Sequence, residues 1–269
     1  MPKNEIVDHY SANYENFSSR LFAGIRAEAF GEDIGQNGWL TSEEQDLFIS
    51  WLNPGASTRL LDVACGSGGP TLRIALKTGC YIHGIDLHER GIETACEQAR
   101  ARGLTKHAVF VRVDAGQPLP FPDESFDGVI CVDAVNHLPD RPQVLREWAR
   151  VLKGGGRLVF TDPITVTGPL SNEEIRIRSS IGFFLFVPEG ANERMLVEAG
   201  FELAAKEDRT ENMARIAGRW HAAREARANE LIRVEGQETF EGQQAFFRVA
   251  AGLASERRLS RFAYCAIRI

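Results

Sequence analysis

The chain lacks most of what would tie it to a membrane, an oxidising compartment or a nucleic acid. No apolar run reaches the roughly 18 residues of a spanning helix, and the first stretch, MPKNEIVDHYSANYENF, has no apolar signal-peptide segment. A soluble, cytoplasmic protein is therefore expected. Positive charge is in deficit, with 31 Lys and Arg against 37 Asp and Glu and a net charge of −6, which opposes binding to phosphate backbones. Cysteine is sparse: Cys65, Cys80, Cys96, Cys131 and Cys265 are scattered without a C-x-x-C pair. A chain of 269 residues buries a core without disulfide staples, so reduced thiols are expected. None of the six histidines has metal-ligand spacing with another histidine, an acid or a cysteine, and no metal is expected. Repeats, low-complexity tracts and Ser/Gly-rich linkers are missing as well, which argues for a single domain over 1–269.

What is present falls into three stretches. Over 1–55, apolar residues at helical spacing (Ile6, Tyr10, Tyr14, Phe17, Leu21, Ile25) predict a helical cover, followed by a glycine-punctuated turn and a second helix. Thr41 and Ser42, ahead of two glutamates, signal the start of that helix, and Asn53-Pro54-Gly55 its end. Over 56–165 short β-rich runs (RLLDVA, YIHGID, AVFVRV, FDGVICV, GRLVFT) alternate with helical ones, the rhythm of a parallel sheet with helices on both faces. Over 166–269 the rhythm loosens. A helix at 189–199, a strand FELAAKE, one long helix at 211–234 and a closing strand RFAYCAIRI are expected there, with inserts between them.

The sharpest motif is Leu60 to Pro70, LLDVACGSGGP, a buried strand entering a glycine-dense turn before a helix. Such a turn lets backbone N–H groups approach a ligand, and the helix N-terminus favours a polar or anionic group beside it. Two readings compete, dinucleotide binding and S-adenosylmethionine binding. The dinucleotide fingerprint wants Gly or Ala three residues after the second glycine, where this chain has Thr71. Asp86, at the end of the next strand, suits a carboxylate holding ribose hydroxyls under either reading. Asp114, at the end of the third strand, is an acid that dinucleotide folds do not require.

The run from about 56 to 165 resembles a class I S-adenosylmethionine-dependent methyltransferase of the small-molecule "type 11" kind. The resemblance rests on LLDVACGSGG, GIDL, VDAGQPLPFPDESFDGVICVDAVNHLPD and VLKGGGRLVFTD in the family's order. It implies a Rossmann-like α/β fold with a seven-stranded sheet in the order 3-2-1-4-5-7-6, the last strand antiparallel, under a helical lid. It further implies S-adenosyl-L-methionine as cofactor. Gly66 and Gly68 would flank its methionyl part, with Ala64 in the same turn, and Asp62 would orient the turn or reach the amino-acid end. Asp86 and Leu87 would hold the ribose side, Asp114 and Ala115 would face the adenine, and Asp133 or its neighbours would line the sulfonium. Tyr14, Gln36 and Trp39 are candidate cofactor contacts from the N-terminal cover.

Methyl transfer from a sulfonium is an in-line displacement for which the cofactor carries the activation, so the protein must align the acceptor and exclude water. A base helps when the acceptor is a hydroxyl or an ammonium. His137, in DAVNHLP just past the fourth strand, is the candidate, with an ordinary pKa near ~6.5. The DAxxH arrangement is similar to phosphoethanolamine N-methyltransferases, which pair such a histidine with an N-terminal tyrosine, and the region also resembles natural-product sugar O-methyltransferases. Acceptor contacts are expected from Tyr10, Phe183, Phe186 and Trp220, although core packing is an equally available use for these aromatics. The expected activity is methylation of nitrogen or oxygen on a small metabolite or natural product. The partner is then the small-molecule acceptor, with no nucleic acid and no membrane, and a homodimer is compatible. Alternatives are C-methylation of an isoprenoid-like substrate, a non-catalytic cofactor binder, and an NAD-dependent oxidoreductase.

Overall fold

A computed structural model describes residues 14–17 and 19–269. Strands β1 (Arg59–Val63), β2 (Tyr81–Asp86), β3 (Ala108–Arg112), β4 (Phe126–Cys131), β5 (Leu152–Val166), β6 (Val187–Pro188), β7 (Phe201–Asp208) and β8 (Leu259–Arg268) form one sheet. The order is β3-β2-β1-β4-β5-β8-β7, with the two-residue β6 paired to the far end of β5. β1 to β5 run parallel, while β8 is antiparallel to both neighbours. Leaving β6 aside, this is the expected α/β order with the expected antiparallel last strand.

Successive strand residues point to opposite faces. Leu61, Val129, Phe160 and Phe262 enter one core and Leu60, Ile130, Val159 and Ala263 the other. Helices α5 (Arg141–Val151) and α7 (Ala191–Glu198) cover the first face. The second is covered by α2 (Ser42–Leu52), α3 (Gly69–Thr78) and α4 (Glu89–Ala101). Local chemistry sets these helices: Thr41 Oγ1 accepts from the Glu44 N–H to start α2, and Asn53, at φ 46°, stops it. Asp140 accepts from the Gln143 N–H at the start of α5, with Pro142 in the first turn.

A third core lies outside the sheet. Phe22, Ile25 and Phe30 of α1 (Arg20–Phe30) pack with Met213, Ile216 and Trp220 of α8 (Thr210–Glu225), Leu231 of α9 (Ala228–Glu235), and Phe246 and Phe247 of α10 (Gln237–Ser255). The single long helix expected at 211–234 is thus two helices. No Gly or Pro breaks it. Instead Arg227 leaves helical geometry, hydrogen-bonds the Ala223 carbonyl and pairs with Glu28 of α1, turning the chain so that Leu231 enters the lid core. α6 (Asn172–Arg178), opened by a Ser171–Glu174 capping box, and α10 occupy stretches to which the sequence pattern assigns no element. No described helix is long and apolar enough to cross a membrane.

Candidate active site

The carboxyl ends of β1 to β4 open into a cavity of about 450 Å³, closed on the other side by residues 35–38 and 181–182. Open α/β sheets place ligands at this edge. Two residues here, Ala64 after β1 and Asp133 after β4, have left-handed backbones at φ 59° and 54°, a conformation rarely tolerated without a positional reason.

The β1–α3 turn forms the cavity floor. Gly66 and Gly68 are both left-handed, at φ 55° and 76°. Gly66 lines the cavity, whereas Gly68 packs behind it: a Cβ there would stand 2.7 Å from the Ala95 Cβ and 2.9 Å from the Phe110 ring. Its glycine serves the seating of α4 and β3 against the turn, not a ligand. Asp62, at the end of β1, is buried and accepts a short hydrogen bond from Thr71 Oγ1. Burial pushes its carboxyl up to about 7, opposed by the Thr71 hydrogen bond and assisted by the charge of Asp86.

Asp86 accepts the Gly66 N–H at one oxygen (2.9 Å) and the His88 N–H at the other (2.8 Å). Burial raises this carboxyl, and those two backbone donors work against the rise. A carboxylate has about four lone-pair positions, so two acceptor positions remain, one on each oxygen, a match for the two adjacent hydroxyls of a ribose. Leu87 is exposed at the rim beside it. Asp114 accepts the Gly116 N–H (2.9 Å), and with Ala115 it forms the neighbouring wall. Tyr14 closes this end, with its ring edge-on to His88 at 4.9 Å.

Asp133 lies in the cavity wall but is used differently. Its Oδ1 accepts from Thr161 Oγ1 (2.7 Å) and Arg261 Nε (2.6 Å), and its Oδ2 from the Trp39 N–H (2.7 Å) and Arg261 Nη2 (3.2 Å). All four lone-pair positions are filled by the protein, so the carboxylate is a joint rather than a ligand group. Arg261 also pairs with Glu44 at 2.6 Å. Burial alone would lower the Arg261 guanidinium, but the Asp133 and Glu44 carboxylates outweigh it and hold it above its ordinary value. Burial keeps the Glu44 carboxyl raised in spite of Arg261.

His137 sits in the short 3₁₀ turn Val135–His137, and its Nδ1 lies 2.9 Å from the Phe183 carbonyl. A carbonyl only accepts, so Nδ1 carries the proton and the imidazole lone pair is on Nε2. The ring meets Phe184 edge-on at 4.7 Å. Burial lowers the imidazole below its ordinary value; the Phe183 hydrogen bond opposes this, and the nearby Arg178 cation adds to it.

Several expected contacts lie elsewhere. The Trp39 indole is buried in the lid core, stacked on Phe246, and only its backbone reaches toward the site. Trp220 stacks on Phe247 in the same core, 5.0 Å between centroids. Phe186 packs in a small satellite core with Leu253 and Leu259, and Phe183 is half exposed, contributing a carbonyl rather than its ring to the cavity margin. Gln36 lines the cavity, yet its amide braces its own loop, accepting from the Ile34 N–H and donating to the Glu32 carbonyl. Tyr10 lies outside the described residues. Sequence reasoning missed Gln45, which lines the cavity and donates to the Pro70 carbonyl (2.8 Å), and Arg261, whose partners are 128 and 217 positions away in the chain. No local pattern encodes such pairings. Among the described residues no group of three or more His, Cys, Asp or Glu is placed to hold a metal ion.

A family model described as "Methyltransferase domain" matches residues 61–160. Over these residues the chain is similar to a methyltransferase domain. Among curated proteins, the 27-O-demethylrifamycin SV methyltransferase of Amycolatopsis mediterranei (strain S699) is 34% identical over 179 residues, 63% of this chain and 62% of that one. The chain therefore spans less than two thirds of that relative's length. Among solved structures, the [4+2]-cyclase SpnF superposes with a TM-score of 0.77 at 23% identity, covering 96% of this chain and 95% of its own. Phosphoethanolamine N-methyltransferase 2 of Haemonchus contortus, solved with phosphomonomethylethanolamine and S-adenosylhomocysteine, gives 0.78 at 18% identity, covering 96% of this chain and 59% of its own. At these identities the two structures show a shared fold alone.

The residues present suit the cofactor of this domain. The cavity has the volume of a small-molecule site. Asp86 has two acceptor positions for a pair of hydroxyls, and a Cβ at Gly66 would meet the Tyr14 hydroxyl at 2.9 Å, so the floor is kept clear of side chains.

Proposed function

We propose that the protein transfers a methyl group from S-adenosylmethionine to an oxygen or nitrogen of a small molecule. The observation that carries this reading is that Asp86, with one acceptor position left on each oxygen, and His137, with its Nδ1 proton committed to the Phe183 carbonyl, border the same cavity. The bound cofactor supplies an activated methyl on its sulfonium. Asp86 holds the ribose, Asp114 and Ala115 flank the adenine, and Asp62 favours a cationic amino group at the other end. Ala134, Leu138, Ile181 and Gly182 contribute apolar wall to the cavity that His137 borders. His137 Nε2 takes the acceptor's proton as its lone pair is engaged, and its lowered pKa keeps the imidazole neutral at neutral pH. A hydroxyl acceptor is the favoured case, because the name of the rifamycin relative describes methylation at oxygen.

Titration calorimetry with S-adenosylhomocysteine and with NAD tests the cofactor. Binding of the former is expected, and binding of NAD alone would sink the reading. A screen of hydroxylated and amine acceptors, followed by release of S-adenosylhomocysteine, then tests the reaction.

A further inference from the structure

We propose that Arg261, on the last strand and outside the cavity lining, is a positioning residue: through Asp133 it latches residues 36–39, the segment that closes the cavity over the cofactor. The inference rests on the cofactor reading above only for what the latched segment covers.

The geometry is that of a joint between three parts of the molecule. Arg261 is fully buried on β8. Its Nε and Nη2 hold Asp133 at the end of β4, and its Nη1 holds Glu44 in the first turn of α2 (2.6 Å). Asp133 in turn receives the Trp39 N–H, and Asn212 of α8 donates to the Trp39 carbonyl (2.8 Å). Both polar backbone groups of Trp39 are thereby tied down, one to the sheet and one to the lid. The segment could not come this close with a side chain at position 38, where a Cβ on Gly38 would stand 2.7 Å from Asp133 Oδ2. Asn37 and Gly38 line the cavity directly, so their position is set by a carboxylate whose own orientation Arg261 fixes.

The charges explain why an arginine is needed. Two buried carboxylates share one guanidinium, and a further cation among the described residues, Arg209, is 3.7 Å from Glu44 and partly exposed. Removing Arg261 leaves two buried acids facing one another across the joint, a costly arrangement. Lysine keeps the charge but lacks the planar fork that spans both acids at once.

The test is hydrogen exchange on the chain without cofactor, read at the Trp39 amide and across 34–40, combined with calorimetry using S-adenosylhomocysteine. Arg261→Lys, Arg261→Met and Gly38→Ala are compared with the wild type. In each variant exchange at Trp39 is expected to rise about tenfold or more while β1 and β4 keep their protection, and S-adenosylhomocysteine affinity is expected to fall about tenfold. Should Arg261→Met fail to fold, Arg261→Lys, which keeps the charge, carries the test. Wild-type protection at Trp39 in folded Arg261→Lys or Arg261→Met overturns the latch, as does a loss of protection spread evenly over the sheet. A wild-type chain that does not bind S-adenosylhomocysteine but shows the local exchange effect leaves the latch standing and removes the cofactor reading instead.

Discussion

Asp86 and Asp133 are both carboxylates at strand ends bordering one cavity, and their hydrogen bonds separate their tasks. Asp86 has spent half its acceptor capacity on backbone amides, while Asp133 has spent all of it on the protein. Asp86→Ala is therefore expected to weaken S-adenosylhomocysteine binding by about 10- to 100-fold, the value of charge-assisted hydrogen bonds, as read by calorimetry. For His137→Ala the expectation is a loss of turnover of about 10²- to 10⁴-fold with S-adenosylhomocysteine affinity retained; unchanged turnover on the true acceptor would make the histidine structural. Its pKa is lowered, so in the wild type the acid limb of the rate profile should fall below the ordinary histidine range. Asp62 offers a check of opposite sign. Its carboxyl is raised to about 7 in the folded chain, so the stability it contributes is present at low pH and lost as pH rises through about 7. Asp62→Asn should consequently gain in melting temperature relative to wild type at about pH 8 compared with about pH 5.5. Residue identity and position at strand ends were legible in the sequence for Asp86, Asp114 and His137. The occupancy of Asp133 was not, because its principal partner, Arg261, comes from the far end of the chain.

At the level of elements, the β1–α3 turn was readable because its glycines, strand and helix are contiguous. Within it the two glycines do different work, which only packing reveals: one faces the cavity and the other the underside of α4. Gly68→Ala is expected to destabilise the fold by more than about 2 kcal/mol, the sum of a left-handed backbone cost and a clash with Ala95. Chemical denaturation measures it, and a stability equal to wild type would contradict the packing role. The βαβ units were legible for the same reason, since each strand and its crossover are neighbours in sequence. The α8–α9 break was not, because the apolar stripe continues through it and the cause is a pairing with Glu28, which lies 199 positions earlier in the chain. Similarly, Trp39 and Trp220 carry the composition of ligand-facing aromatics, and only the tertiary structure turns them into core.

Across the whole molecule, the cofactor-binding sheet and the helical cover are separate cores joined at the cavity. Trp220→Ala should then act on stability, by roughly 3–5 kcal/mol as for other large core aromatics, and leave the KM for a small acceptor unchanged in the folded fraction. A changed KM without loss of melting temperature would return the residue to the acceptor site. The cover itself is drawn from both ends of the chain, with α1 from the beginning and α8 to α10 from the end packed into one apolar core. It is therefore not a cassette. Exchanging only the N-terminal segment, or only the C-terminal inserts, with those of a relative of the same fold would pair two half-cores that never fitted one another. A chimera with altered acceptor preference has to carry both halves across together, with the sheet between them left unchanged.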